Sequence, residues 1–148
     1  MEGIILIGLP ASGKSSFYKK NFFNTHIRIS NDLLKTKNRE KKLLDFCFET
    51  KMKIVLDNTN VTLALRQQYI SRLKENQYRI CGYYFKTDLE RSFQWNKLRA
   101  ENEIVPDVGI LDKHRKLELP SISEGYDDLY YVDFIDNQLL IKNWNNEV

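Results

Sequence analysis

Residues 4–15 read Ile-Ile-Leu-Ile-Gly-Leu-Pro-Ala-Ser-Gly-Lys-Ser, so that a short apolar run passes directly into a turn that contains two glycines. An uninterrupted apolar run between glycines is typical of a strand that is buried on both faces of a parallel sheet. Residues 14–23, which follow the turn, have the character of a helix. The stretch therefore predicts a strand, a tight loop and a helix in succession, which is the first unit of an α/β fold.

The turn in this stretch has the chemistry of a phosphate-binding loop. Residues 8–15 fit the pattern G-x-x-x-x-G-K-[ST] without deviation. Glycines let the backbone N–H groups converge on an anion, and the helix that begins near Lys14 adds its positive dipole end. The Lys14 ammonium can reach the β- and γ-phosphates, and the Ser15 hydroxyl can ligate Mg²⁺. We predict a nucleotide site formed by Gly8, Pro10, Ala11, Ser12, Gly13, Lys14, Ser15 and Ser16.

Length and composition indicate one globular domain that spans residues 1–148. Hydrophobic residues make up 42% of the chain and charged residues 29%, and no apolar run approaches the roughly 18 residues that a membrane span needs. The two cysteines, Cys47 and Cys81, have no metal-ligand spacing and are expected in the core. We expect no signal peptide, no contact with a membrane and a cytoplasmic location.

The net charge of +3 is unevenly distributed. Residues 1–75 carry 14 basic and 7 acidic side chains, whereas residues 76–148 carry 9 and 13. A basic stretch that includes Lys35, Lys37 and Arg39 follows Asp32. This asymmetry fits an anionic partner lying against the first half, and a solvated helix face is the alternative.

The remaining pattern alternates strands with helices, which predicts a mostly parallel sheet. Strands are predicted near residues 26–29, 53–57, 80–85 and 130–134, and the tail after Phe134 would add one antiparallel strand. A helix is predicted over residues 32–50, with a break at Asn38. Helices are also predicted over residues 62–76, 87–100 and 107–119, and Thr87-x-x-Glu90 would be the capping box of the second of these.

Two acids follow predicted strands and are candidates for chemistry. Asp32 comes just after the strand that ends at Ser30, and Asp57 ends the run Ile54-Val55-Leu56. The carboxyl ends of parallel strands are where ligands bind in open α/β sheets. Asp32 is therefore a candidate general base, with a helix N-cap as the alternative. Asp57 is a candidate metal residue, and Asn58-Thr59-Asn60 adds polar side chains beside it. An ordinary turn is the alternative interpretation of these three residues.

Several stretches together resemble the kinase domain of 5′-polynucleotide kinases over residues 3–134. The resemblance rests on the phosphate loop, Ile-Ser-Asn-Asp at 29–32, Val-Leu-Asp-Asn-Thr-Asn at 55–60 with Arg66, Trp-Asn-Lys-Leu-Arg at 95–99, and Ser-Glu-Gly-Tyr at 123–126. It implies ATP and Mg²⁺ as cofactors and a 5′-hydroxyl end of RNA or DNA as acceptor. We expect a three-layer P-loop sandwich with a mostly parallel five-stranded sheet and a helical lid.

The resemblance also implies roles for individual residues. Lys14, Asp32 and Arg99 match catalytic positions, and Ser15 and Asp57 match metal positions. The acceptor positions are matched by Asp32, Lys35, Asp57, Asn60 and Arg66, although Arg66 could equally form a structural ion pair. Lys97 and Arg115 match basic positions at the nucleotide, and a charged helix end is the other interpretation of Lys97 and Arg99.

Three functions remain open at this point. The first is an ATP-dependent polynucleotide 5′-hydroxyl kinase. The second is a kinase for a small alcohol or a nucleoside. The third is a non-catalytic nucleotide-binding switch, which would not need both Asp32 and Arg99.

Overall fold

Strands and helices alternate along the chain in a computed structural model that describes residues 1–145. The strands are β1 (Glu2–Ile7), β2 (Ile27–Ile29), β3 (Ile54–Leu56), β4 (Arg79–Phe85), β5 (Asp128–Ile135) and β6 (Gln138–Asn143). The helices are α1 (Lys14–Asn21), α2 (Asn31–Leu34), α3 (Lys37–Thr50), α4 (Leu63–Glu75), α5 (Leu89–Lys97) and α6 (Asp107–Lys116). Short 3-10 helices span Glu101–Glu103 and Ile122–Glu124. The last three residues of the predicted domain, 146–148, lie outside the described part.

The six strands form one sheet in the order β2-β3-β1-β4-β5-β6. The first five are mutually parallel, as the alternation of strands and helices predicts. The sheet has one strand more than the five expected for the core of the fold, because β6 turns back and pairs antiparallel with β5. Asp136 and Asn137, both with positive φ, form the turn between these two strands.

The core lies on both faces of the sheet, which explains why β1 is apolar at every position from Ile4 to Ile7. Successive side chains of a strand point to opposite faces. Ile4 and Leu6 pack on one face with residues of α1, and Ile5 and Ile7 pack on the other with residues of α3 and α4. Both cysteines are buried and free. Helices therefore cover the sheet on both sides, and the predicted three-layer α/β architecture is confirmed.

The topology brings three loops to one edge of the sheet. Because β1, β2 and β3 are adjacent and parallel, their carboxyl ends point the same way. The loop 8–13, the start of α2 at Asn31, and residues 57–60 therefore meet at this edge. The backbone N–H of Gly8 donates to the carbonyl of Thr59 at 3.0 Å and joins the first and third loops.

Two predicted helix boundaries are wrong for local reasons. The helix predicted over 32–50 is two helices, and the break is at Lys35–Thr36 instead of Asn38, because the Thr36 hydroxyl accepts a hydrogen bond from the N–H of Arg39 and caps α3. Helix α5 is capped by Asp88 and not by Thr87, whose hydroxyl hydrogen bonds with that of Tyr84. Within residues 1–145, no helix is both long and apolar enough to cross a bilayer.

Candidate active site

A cavity of about 640 Å³ opens at the carboxyl edge of the sheet. Its walls come from the phosphate loop and the start of α1, from β2 and α2, from the end of β3, and from α5, α6 and the segment between them. Four cationic side chains and two acidic ones line it: Lys14, Arg28, Arg99 and Lys113, with Asp32 and Asp57. The excess of positive charge suits an anionic ligand such as a polyphosphate.

The phosphate loop needs left-handed backbone at two positions. Gly13 has φ 98° and Ala11 has φ 56°. A Cβ at Gly13 would lie 2.9 Å from Cζ of Phe134, so only glycine fits between the loop and β5. Helix α1 begins directly after Gly13 with no side-chain cap and no acidic residue in its first turn. The N–H groups of its first turn are therefore available to an anion.

Lys14 is folded back over the loop. Its ammonium donates to the carbonyls of Leu9 at 2.6 Å and Gly8 at 3.0 Å, and to the hydroxyl of Ser12 at 3.3 Å. Burial lowers the pKa of Lys14 to about 8, and the neighbouring charges of Asp57 and Arg99 act in opposite directions on it. The Lys14 ammonium is therefore held by neutral carbonyl and hydroxyl oxygens, whose place an anionic ligand can take.

Ser15 and Asp57 meet at the base of the cavity. The Ser15 hydroxyl donates to Oδ2 of Asp57 at 3.0 Å, and the Asp57 side chain is almost fully buried. Hydroxyl and carboxylate oxygens are ligands that Mg²⁺ accepts. Among residues 1–145, no cluster of three or more His, Cys, Asp or Glu side chains forms a metal cage. The pair fits a Mg²⁺ ion that takes its other ligands from water and substrate phosphates.

Asp32 lies in the first turn of α2 and faces the cavity. The N-cap alternative for this residue is wrong, because Ser30 occupies the N-cap position. The amide N–H of Asn31 donates to Oδ1 of Asn58 at 2.8 Å, which fixes the start of α2 against the end of β3. Within the described residues, the Asp32 carboxylate has no hydrogen-bond donor. Asp32 is therefore free to accept a proton or a hydrogen bond from a ligand.

Arg99 also lines the cavity, just after α5. The buried side chain of Asn96 holds this segment: its Nδ2 donates to the carbonyl of Val105 at 2.6 Å, and its Oδ1 accepts from the N–H of Val105 at 3.0 Å. Arg99 forms no ion pair within residues 1–145, so its guanidinium can meet an anionic ligand. The segment from α5 to α6 thus has the placement expected of the helical lid.

Several predicted site residues do not line the cavity. Gly8 and Ser12 lie beneath it, where they bond to Lys14. Lys35, Lys97 and Arg115 are exposed outside it. On α6 the cation that reaches the cavity is Lys113, one helical turn after Gly109, which also lines it.

Asn60 and Arg66 are buried and hold neighbouring segments together by hydrogen bonds. Neither lines the cavity, so the structure does not support direct contact of these two residues with a substrate. Nδ2 of Asn60 donates to the carbonyl of Leu6 at 2.8 Å. Arg66 is fully buried, donates to both carboxylate oxygens of Glu124 at 2.8 and 3.1 Å, and donates to the carbonyl of Asn60 at 3.0 Å. The ion-pair alternative for Arg66 is the one that the structure shows.

Sequence reasoning missed several lining residues. Arg28 is the most consequential, since it bonds to both Asp57 and Ser15. The alternation of apolar and polar residues in β2 could have located Arg28: Ile27 and Ile29 pack on one face of the sheet, so the Arg28 side chain lies on the other. Trp95 was missed as a lining residue although it lies one helical turn before Arg99, and its ring stacks edge-on against Phe134 at 5.1 Å.

Comparisons with known proteins agree with this architecture. The sequence model of a family described as AAA domain matches residues 4–120. The bifunctional polynucleotide phosphatase/kinase of Schizosaccharomyces pombe is 25% identical over 97% of this chain and 36% of its own length. A putative bifunctional polynucleotide phosphatase/kinase of Acanthamoeba polyphaga mimivirus is 30% identical over 96% of this chain and 35% of its own length. The chain thus spans about a third of the length of these curated relatives.

Solved structures confirm the fold. A gluconokinase from Sinorhizobium meliloti 1021 superposes with a TM-score of 0.61 at 16% identity, over 89% of this chain and 82% of that one. Kti12 of Chaetomium thermophilum in complex with ADP-AlF3 superposes with a TM-score of 0.64 at 17% identity, over 90% of each chain. The resemblance to polynucleotide kinases that the sequence indicated is confirmed by the two curated relatives, and the fold by these structures.

Proposed function

The chain belongs to the AAA domain family, and we propose that it is an ATP-dependent kinase that transfers the γ-phosphate to a 5′-hydroxyl end of RNA or DNA. The observation that carries the proposal is the cavity itself. It combines a phosphate loop with the Asp32 carboxylate and the Arg99 guanidinium. Among residues 1–145, this carboxylate accepts no hydrogen bond and this guanidinium forms no ion pair. A switch protein would need the first of these features, whereas transfer to an alcohol needs all three.

The donor nucleotide would lie along the start of α1. Its phosphates would replace the carbonyl contacts of Lys14 and meet the N–H groups of residues 13–16. Ser15 and Asp57 would hold Mg²⁺, which when bound neutralises charge on the phosphates. Arg99 would stabilise the charge on the phosphoryl group as it transfers. The aromatic pair Trp95 and Phe134 lies beside Gly13, where an apolar surface suits a nucleobase.

The lowered pKa of Lys14 predicts proton uptake on nucleotide binding. With a pKa of about 8, part of the free protein carries an uncharged Lys14 at pH 8. A polyphosphate favours the ammonium form and raises this pKa, so ADP binding should take up protons at pH 8, and its affinity should fall as pH rises above 8. Calorimetry of ADP binding in buffers of different ionisation enthalpy measures the uptake. Equal heats in all buffers at pH 8 would contradict the prediction.

Asp32 would act on the acceptor. A general base must reach the hydroxyl proton, and Asp32 lines the cavity from the start of α2, after β2, whereas the lid follows β4, two strands further along the sheet than β3. A lone hydroxyl contributes little binding energy, so a nucleic-acid kinase must also contact the neighbouring phosphates. Exposed basic side chains follow Asp32 within the next ten residues and can supply those contacts: Lys35, Lys37, Arg39, Lys41 and Lys42.

The test of the function compares acceptors. We expect kcat/KM for a 5′-hydroxyl oligonucleotide to exceed that for a free nucleoside at least about tenfold. The value for the oligonucleotide should also fall with salt: a plot of log kcat/KM against log salt concentration should have a slope on the order of −1 to −3, at roughly −0.7 per phosphate contact. Labelled-phosphate transfer from ATP at two salt concentrations gives both values. Equal efficiency without salt dependence would support the small-molecule kinase, and no acceptor-dependent ATP consumption would support the switch.

Two lysines provide a matched control for the acceptor contacts. Lys35 directly follows α2 and Lys51 directly follows α3; both are exposed and both have positive φ, 72° and 59°. Lys51 is separated from the cavity by the whole of α3, roughly 20 Å at 1.5 Å per residue. Lys35→Ala should raise the oligonucleotide KM several-fold without changing the ATP KM, whereas Lys51→Ala should change neither. Equal effects from both substitutions would remove Lys35 from the acceptor site.

A further inference from the structure

Arg28 closes a triangle with the two proposed metal residues. Its Nε donates to Oδ2 of Asp57 at 2.7 Å, and its Nη2 donates to Oγ of Ser15 at 3.2 Å. The Ser15 hydroxyl donates to the same Oδ2 of Asp57 at 3.0 Å. The guanidinium also lies over the ring of Tyr18, 5.9 Å from the ring centroid, and this cation–π contact helps to hold it in place. One residue of β2 therefore contacts both oxygen ligands available at the base of the cavity.

This arrangement leaves no net negative charge where a divalent cation would bind. The Asp57 carboxylate is almost fully buried and already paired with Arg28. Lys14, Arg99 and Lys113 add three more positive charges to the same cavity, against one further negative charge from Asp32. A divalent cation that arrives alone must displace the hydrogen bonds of Arg28 or share Asp57 with a positive neighbour at hydrogen-bond distance. Both alternatives are unfavourable at the low effective dielectric of a buried site.

The phosphates of a nucleotide reverse this balance. They bring several negative charges, and their oxygens supply the ligands that Ser15 and Asp57 cannot provide alone. We propose that Arg28 keeps the Ser15–Asp57 pair closed to free divalent cations, so that the metal enters the site only together with nucleotide phosphates. This inference rests on the proposed donor site and adds to it a residue that couples metal binding to nucleotide binding.

The test measures Mn²⁺ binding without a nucleotide. Electron paramagnetic resonance of free Mn²⁺ gives the affinity of the whole chain for the ion. The wild-type protein should bind Mn²⁺ weakly, and Arg28→Gln, which removes the charge but keeps most of the stem, should bind it at least about tenfold more tightly. Arg28→Lys, which keeps the charge, should stay close to the wild type. An unchanged Mn²⁺ affinity in Arg28→Gln would overturn the proposal.

Two further variants locate the effect. Adding Asp57→Asn to Arg28→Gln should abolish the gain, because the gained site contains the Asp57 carboxylate. Arg91→Gln is the matched control: Arg91 pairs with Asp133 on β5 but does not line the cavity, so Mn²⁺ affinity should not change. Should Arg28→Gln fail to fold, Arg28→Ala is measured in its place with the same expectation. A gain that persists without Asp57, or that Arg91→Gln reproduces, would also overturn the proposal.

Calorimetry of ADP binding separates this proposal from the proposed function. In the wild type, Mg²⁺ should raise the affinity for ADP, and by linkage ADP raises the affinity for the metal by the same factor. That factor should shrink in Arg28→Gln, because the variant already admits the metal alone. Failure of the wild-type protein to bind ADP would reject the donor site. Normal ADP binding with the same coupling factor in both proteins would reject only the role of Arg28.

Discussion

Asp32→Asn should lower kcat for phosphate transfer by about 10²–10⁴, the usual cost of removing a general base. Asparagine keeps the size of the side chain but cannot accept a proton from the acceptor hydroxyl. Asp32 is exposed in the cavity and has no hydrogen-bond donor among the described residues, so the substitution should leave the free energy of unfolding nearly unchanged. Single-turnover transfer from ATP to a 5′-hydroxyl oligonucleotide measures the chemical step directly.

The control for this variant is Asp107→Asn. Asp107 is also exposed in the first turn of a helix, α6, but it does not line the cavity, so kcat should stay at the wild-type value. ADP affinity should persist in both variants, because the donor contacts come from the phosphate loop. A full wild-type kcat in Asp32→Asn would show that another group accepts the proton, and loss of ADP binding would show that Asp32 belongs to the donor side.

The parts of the site that the sequence predicts well are those encoded by local order. The phosphate loop is a contiguous pattern after an apolar strand, so its position in space follows from its position in the chain. Asp32 and Asp57 were located because each follows a strand, and parallel strands end at a common edge. Arg99 was identified by the resemblance to polynucleotide kinases and not by strand order, and it lines the cavity in the segment that the hydrogen bonds between Asn96 and Val105 hold in place.

The parts that the sequence did not reveal depend on side-chain direction and long-range pairing. Arg28 and Lys113 reach the cavity because of the faces they occupy on β2 and α6. Spacing along the sequence does not distinguish Lys113 from a neighbouring basic residue such as Arg115. Arg66 matches a family spacing, yet its guanidinium turns inward because Glu124, 58 residues later, supplies a buried carboxylate. No local sequence pattern around Arg66 or Glu124 indicates that the two side chains pair.

The same contrast holds for the fold. The strands β1, β3 and β4 were predicted from buried apolar runs, since burial on both faces leaves a strong signal. β2 was predicted from the alternation of residues 26–29. β6 has a weaker signal because most of its side chains are exposed at the edge of the sheet. The boundary between α2 and α3 was misplaced because either Thr36 or Asn38 can end or begin a helix, and only the hydrogen bond from Arg39 to Thr36 decides between them.

Arg66→Met should lower the free energy of unfolding by about 3–5 kcal/mol, because it leaves the Glu124 carboxylate buried without its cation. A domain of this size is stable by only about 5–15 kcal/mol, so the loss is a large share of the total. Arg66 is fully buried and the Glu124 side chain is 6% exposed, so water cannot replace the lost bonds. Urea denaturation followed by circular dichroism measures the change.

Arg72→Met is the matched control, because Arg72 lies on the same helix and pairs with Asp45 at the surface. Exposed pairs contribute at most about 1 kcal/mol, so this variant should unfold close to the wild type. Adding Glu124→Gln to Arg66→Met should recover part of the loss, since it removes the unpaired charge. At a temperature where every variant is folded, the acceptor KM of Arg66→Met should stay within about twofold of the wild type. A raised acceptor KM without a loss of stability would instead make Arg66 a substrate-binding residue, and would require its guanidinium to leave Glu124 when the acceptor binds.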